Sequence, residues 1–356
     1  MNILFFIGNG FDLNVGLNTE YKDVLHSYST EKTKDNAVIK FFKKSINEDF
    51  KTWGKFEEKM GFYTNEIQHK ESQIETFLDY SNCIYDFKKY LKHYLETEES
   101  KVQYDEEKKI AKTFDKSLFD FAECLNCDPK IVKDIIDKDI INFYFINFNY
   151  TSVFDKCLDV YRKSDMFPFE KITKDMFMFT RFNKLGKVNH IHGTLKNNMI
   201  LGVNDLKQIK NTGFHGLERV KNFIKPVANE ELGNQRNIDV MNLISDADIY
   251  CIYGMSLGDT DKKWWIELAK QLKSFPNKHL IIYAYNKSHD NSLSEHTLEE
   301  IDYHKNIFFK HLRFTDLGKD NLEKKLKNNI RVRINRDIFK MKLVEPVEFF
   351  IEPFTF

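Results

Sequence analysis

The sequence predicts an α/β fold: a mainly parallel sheet with helices on both faces and a large helical insertion after the first strand. Three observations predict it. The chain opens on an unbroken apolar run, Asn2-Ile3-Leu4-Phe5-Phe6-Ile7, that ends in Gly8-Asn9-Gly10. From Ile140 onward, short apolar runs alternate with longer polar, periodic segments, the pattern of strands and helices in turn. Between the two lie more than a hundred residues rich in Lys, Glu and Asp, with aromatics at helical spacing.

The first run reads as a strand covered on both faces, because a continuous apolar strand has no polar side to give to water. A signal peptide would need a basic leading region and a small-residue cleavage site, and neither is there. From about Tyr21 to Lys138 long helices are expected. Phe87, Tyr90, Leu91 and Tyr94 share one helical face, and only Pro129, Gly54 and Gly61 would interrupt a helix. Charge runs such as Glu96 to Lys101 are expected to form solvated helix faces. Further strands are expected at Ile141–Phe148, Val188–Ile191, Met199–Val203, Ile249–Tyr253 and Leu280–Tyr285. Helices are expected at Glu230–Ser245, Thr260–Lys273 and Leu293–Tyr303. Arg331–Ile334 and Met341–Leu343 alternate in polarity and suggest a short antiparallel β appendage over 330–356. The whole, residues 1–356, reads as one domain with its insertion at 22–139. It has no internal repeat and no low-complexity linker.

Composition narrows the function. With 54 basic and 54 acidic side chains in 356 residues, the chain has no global attraction for a nucleic-acid backbone. Five cysteines, an odd number at irregular spacing, argue against a secreted disulfide framework. No apolar run approaches the roughly 18 residues of a membrane span. A cytoplasmic protein is expected, engaging neither membrane nor nucleic acid.

Chemistry is expected where ligands of open α/β sheets bind, at the carboxyl ends of the strands. Gly8-Asn9-Gly10-Phe11-Asp12-Leu13 follows the first strand. Its glycines permit close backbone approach, and a helix start points N–H groups at an anion. An Asp would repel a diphosphate, so Asp12 is read as facing a ribose hydroxyl or capping the next helix. Asn147 and Asn149, at period two, share a side. They suit sugar hydroxyls or a water, or else serve as turn and cap residues. In His190-Ile191-His192-Gly193 the two histidines share a face, and Gly193 gives a ligand access to the backbone. An imidazole suits general-base work at neutral pH. A metal would need a third ligand that the local spacing does not offer, and His190 is read as structural. Gly254-Met255-Ser256-Leu257-Gly258 forms another such turn, with Asp259 or Thr260 available to cap the helix of Trp264 and Trp265. A last strand ends at Tyr285-Asn286.

Together these motifs resemble the sirtuin-like branch of the NAD-binding Rossmann superfamily and, more closely, the AbiH family of bacterial anti-phage abortive-infection proteins. AbiH-like chains carry an Asn-Gly-Phe-Asp turn and then Gly-Leu-x-Thr-x-Tyr. Here these are Asn9-Gly10-Phe11-Asp12 and Gly16-Leu17-Asn18-Thr19-Glu20-Tyr21. The Thr-Asn-Tyr-Asp loop of sirtuin-like chains is matched by Ile146-Asn147-Phe148-Asn149, their His-Gly pair by His192-Gly193, and their Gly-x-Ser-Leu loop by Gly254-Met255-Ser256-Leu257. The asparagine of their terminal strand is matched by Asn286, and the AbiH-like Trp-x-x-x-Glu motif by Trp53 and Glu57. Three departures stand out, one being Tyr21 where sirtuin-like chains commonly carry an Arg after Gly-Ile-Pro. The paired cysteine motifs of deacetylating sirtuins are reduced to Cys124-Leu125-Asn126-Cys127, and the Asp of the Asn-x-Asp loop is Asn149.

The resemblance implies an NAD site without metal, formed by Gly8 to Asp12, Gly16, Leu17, Thr19, Asn149, Gly193, Gly254, Ser256, Leu257 and Asn286. It further implies hydrolysis of NAD to nicotinamide and ADP-ribose. In that mechanism Asn147 orients the ribose or the attacking water, and His192 accepts a proton. The alternative is a non-catalytic NAD or ADP-ribose sensor. A nuclease toxin has less in its favour, since the sequence has no carboxylate cluster at metal-binding spacing. Defence proteins of this kind stay silent until infection, so the resemblance also implies a phage-derived trigger or self-assembly into a homo-oligomer.

Overall fold

The computed structural model describes residues 1–31, 35–50, 55–67, 74–125, 140–166, 169–174, 177–233, 235–290, 292–312, 326 and 328–344, with the backbone alone at 169–174, 177–183 and 312. Seven strands form one sheet: β1 (Asn2–Ile7), β2 (Ile140–Asn147), β3 (Phe169–Lys174), β4 (Phe177–His190), β5 (Ile249–Tyr253), β6 (His279–Ala284) and β7 (Ile330–Ile334). Their order is β3-β4-β2-β1-β5-β6-β7. Six run parallel, and β3 closes one edge antiparallel to β4. β1 is central, with Ile7 paired to Asn147 on one side and to Tyr253 on the other, so the carboxyl ends of β1, β2 and β5 stand level.

Strand alternation assigns the two faces. Ile3, Phe5, Phe143 and Cys251 pack with helices α1 (Gly10–Val15), α6 (Glu107–Leu125) and α7 (Val153–Lys163). Leu4, Phe6, Ile146 and Ile252 pack with α9 (Arg236–Asp246), α10 (Lys262–Ser274) and α11 (Ser294–Leu312). The chain leaves β1 toward one face and β5 toward the other. The gap between their carboxyl ends is therefore a topological switch point, where open α/β sheets form a crevice.

A second apolar core lies above this edge. It joins α2 (Tyr21–Thr30), α3 (Ala37–Glu48), α4 (Phe56–Tyr63) and α5 (Phe77–Ser100) to the segment 195–224. As the spacing predicts, Phe87 and Leu91 are buried in it, with Tyr90 and Tyr94 packed at its margin. Thr76 caps α5 reciprocally with Asp79, a capping box that fixes where the helix starts.

Several expectations are corrected. Glu96 to Lys101 is not simply a solvated face. Glu98 is buried and accepts the Asn18 N–H at 2.9 Å, and Glu99 accepts the Ser152 N–H at 3.2 Å, so two carboxylates tie loops to α5. Met199–Val203 makes no strand. Only Val203 bridges to Ile224, and the run is apolar because Met199, Leu201 and Val203 enter the second core. Glu230–Ser245 is broken into α8 (Lys225–Glu231) and α9, with Gly233 at φ +65° between them. β7 pairs in parallel with β6 rather than forming an antiparallel appendage, and 341–343 forms no strand. Trp53 and Cys127 lie outside the described residues, and no described helix is long and apolar enough to cross a membrane.

Candidate functional site

A cavity of about 750 Å³ opens at the switch point, within the ordinary size range of ligand sites. Its floor is the turn after β1, the loop after β2 and the loop after β5. Its walls come from α4, α5 and α11. Of the residues expected from sequence, Gly8, Asn9, Asp12 and Thr19 reach it from the first turn, Asn149 and His192 from the next two strand ends, and Gly254, Ser256 and Leu257 from the loop after β5.

The glycines serve a purpose other than the expected one. The Gly8 and Gly10 N–H groups donate to the carbonyls of Tyr253 at 2.9 Å and Gly254 at 3.0 Å, so these two donors are not offered to an anion. A Cβ on Gly10 would lie 2.4 Å from the Gly254 Cα, and Gly254 itself has φ +70°. The two turns thus cross backbone to backbone, which only glycine permits. Asn9 Nδ2 donates to the Thr19 carbonyl and Thr19 Oγ1 donates back to Asn9 Oδ1, at 2.9 and 2.6 Å. That pair holds the loop after α1 against the turn.

Other expected residues lie off the cavity. Phe11 is in the core against Phe114, Phe154 and Phe339. Gly16, at φ +113°, closes α1 with its N–H on the Asp12 and Leu13 carbonyls, and Leu17 is buried beside it. Gly193 makes room for the carbonyls of Asn197 and Asn198, not for a ligand. Asn286 donates to Glu300 at 2.6 Å and accepts the Ser288 N–H, away from the cavity. Asn147 is fully buried and does not line it. By alternation it belongs to the α1–α7 face, and its Oδ1 accepts the Asn149 N–H at 3.0 Å. Its Nδ2 finds no partner among the described residues.

The two histidines separate because β4 ends at His190 and the chain turns. His190 is tied at both ring nitrogens, to the Asn149 carbonyl and to Asp155. Burial works against its charge, but the Asp155 hydrogen bond and charge prevail and raise its pKa. His192 instead packs edge-on against Phe148 at 5.3 Å, on the cavity wall. Its Nε2 lies 2.8 Å from Asp261 Oδ1, and its buried Nδ1 has no partner among the described residues. A carboxylate accepts the Nε2 proton, which leaves the Nδ1 lone pair as the basic position.

Asp261 does not cap α10 with its side chain, and no side chain caps the preceding 3₁₀ turn either. It turns toward His192 and Lys225, whose Nζ lies 2.9 Å away. Burial alone would raise the Asp261 carboxyl. The charges of Lys225 and His192 outweigh it and hold the group well below the carboxylate range. Lys225 also pairs with Glu57 at 2.8 Å. Sequence reasoning gave no role to Lys225 or Asp261. Glu57 was visible only as half of a motif, and a buried lysine leaves no local mark.

Asp12 also lines the cavity, beside the loop after β2. Thr151 Oγ1 donates to its Oδ2 at 2.6 Å and Asn149 Nδ2 to its Oδ1 at 3.3 Å. Burial pushes its carboxyl up to about 7, against the Thr151 bond.

An open, mainly parallel sheet flanked by helices, with a cavity at its switch point, defines an α/β protein of the open-sheet class. A family model described as bacteriophage abortive infection AbiH matches residues 4–285, and the chain belongs to that family. Membership assigns it a role in abortive infection by bacteriophage. No curated protein matches the chain.

Proposed function

We propose that the chain acts in abortive infection as a sirtuin-like NAD glycohydrolase, cleaving NAD to nicotinamide and ADP-ribose at this cavity. The observation that carries the reading is the His192–Asp261 pair on the wall of a cavity large enough for a dinucleotide. Water adds at the ribose carbon as the bond to the pyridinium nitrogen breaks. The bonding electron pair returns to that ring, and nicotinamide leaves neutral without a general acid. The proton from water goes to His192 Nδ1, while Asp261 holds the ring and offsets the charge it gains.

Asp261, on the cavity wall, favours positive charge that develops on the ribose in the transition state. Lys55 and Lys310 are the lysines on the cavity wall and would meet the diphosphate in place of the engaged glycine amides. Asn149 and Asp12 face ribose hydroxyls, and Asn147 acts from beneath by holding the Asn149 backbone. The activity stays silent until a phage-derived trigger or self-assembly switches it on.

The test is NAD consumption by wild type and His192→Ala, with calorimetry alongside. Wild type should release nicotinamide, and the variant should lose about 10²–10⁴-fold in rate. Equal turnover by both would remove His192 from the chemistry. Stoichiometric binding with no nicotinamide released would make the protein a sensor instead.

A further inference from the structure

Four ionisable side chains form an unbroken line along the cavity, with His192, Asp261 and Glu57 on its wall and Lys225 behind them. His192 Nε2 is 2.8 Å from Asp261 Oδ1, that oxygen is 2.9 Å from Lys225 Nζ, and Lys225 Nζ is 2.8 Å from Glu57 Oε2. All four are largely buried, Lys225 most of all, with 3% of its side chain exposed. They come from the turn after β4, the start of α10, the start of α8 and the first turn of α4. Glu57 is thus the member of the line that comes from the helical insertion.

We propose that Glu57 and Lys225 are positioning residues that set, through Asp261, how readily His192 takes up a proton. Counting charges gives the reason. With a neutral imidazole the line holds two carboxylates and one ammonium, a net negative charge in a poorly solvated place. A proton on His192 brings it to neutrality, so the line favours the protonated imidazole that base catalysis must form. Lys225 stays charged throughout. Burial opposes its charge, but Asp261 and Glu57 outweigh burial and raise its pKa.

Without the Glu57 charge, the line is already neutral beside a neutral imidazole, and a proton leaves an excess positive charge. Without the Lys225 charge the imbalance is reversed. A pair of bridges that only held the fold would give no such opposite effects.

The other ionisable groups around the site are common to every variant. Tyr21 and Tyr150 are raised well above the ordinary tyrosine value, chiefly by burial, and stay neutral. Asp12 faces from α1, Lys55 and Glu58 from the α4 end, Asp259 from the loop after β5, and Lys310 and His311 from α11.

The experiment is a pH titration of the His192 ring by NMR in the full-length chain, its signal assigned by its loss in His192→Ala. Glu57→Gln should move the midpoint to lower pH by about half a pH unit or more, and Lys225→Met should move it to higher pH. Glu57→Asp should return the midpoint toward wild type. Glu57→Gln is nearly isosteric and its amide oxygen still accepts from Lys225, so this arm decides the matter if Lys225→Met fails to fold. An unchanged midpoint in folded Glu57→Gln overturns the proposal, as does a shift of the same sign in both variants.

The activity arm rests on the glycohydrolase reading, but the titration needs no substrate. Opposite shifts with no NAD turnover in any protein would leave the line standing and remove that reading. Turnover without shifts would do the reverse. If both hold, the acidic limb of the pH–activity profile follows the ring titration in each variant.

Discussion

A carboxyl largely withdrawn from water keeps its proton to higher pH, and burial holds Asp12 in that condition. Its folded pKa of about 7 lies above the ordinary aspartate value. Between the two, the folded chain holds a proton that the unfolded chain has lost, so stability falls as pH rises through that window and levels off above the folded value. The cost at the top of the window is on the order of 4 kcal/mol. Asp12→Asn removes the titrating group. Its melting temperature relative to wild type should therefore climb between about pH 4 and about pH 8. A constant difference across that range would mean that Asp12 is charged throughout.

At this scale the sequence is unevenly legible. The reason lies in the partners of each side chain. His190 and His192 are equivalent on paper, two residues apart. What separates them is Asp155 and the Asn149 carbonyl for one, and Asp261 for the other, all distant in sequence. Asn147, which the motif makes a catalytic amide, is the last residue of β2 and lies buried under the loop, whereas Asn149 lies beyond the strand's end and reaches the cavity.

Among elements, the crossing of the first turn with the loop after β5 carries the strictest demand. A Cβ at Gly10 meets backbone at 2.4 Å, and backbone cannot move aside as a flexible side chain can. Gly10→Ala should cost more than about 2 kcal/mol in denaturant unfolding, whereas Gly216→Ala, with open space around its Cβ, should stay within about 0.5 kcal/mol of wild type. Equal costs would show that the two loops do not touch. The same loop is pinned elsewhere: Leu257 has φ +54°, and its carbonyl accepts from His311 Nε2 at 3.0 Å.

Strands β1, β2, β5 and β6 were legible because burial on both faces leaves continuous apolar runs. Met199–Val203 was misread for the same reason, since a short apolar run looks alike whether it enters a sheet or another core. Glycines were legible as close approaches, but not what approaches them. The spacing that suits a phosphate also suits a second loop.

On the scale of the whole molecule, the insertion is two things. α6 lies on the sheet with β1, while α2 to α5 build the second core with 195–224 and roof the cavity. Composition showed the long helices, and periodicity showed their buried faces. Which helix would cover the sheet and which the cavity depends on long-range packing that neither records. The Glu57–Lys225–Asp261–His192 line is the sharpest case, because four segments of ordinary sequence become one electrostatic unit only once the chain is folded.

The proposed function requires that this cavity receive the nicotinamide ribose of NAD against His192. A crystal structure of the inactive His192→Ala protein soaked with NAD tests it most directly. The dinucleotide should lie across the switch point, its nicotinamide ribose beside residue 192 and its diphosphate toward Lys55 or Lys310. NAD bound elsewhere on the protein, or a cavity that stays empty at saturating NAD, would contradict it.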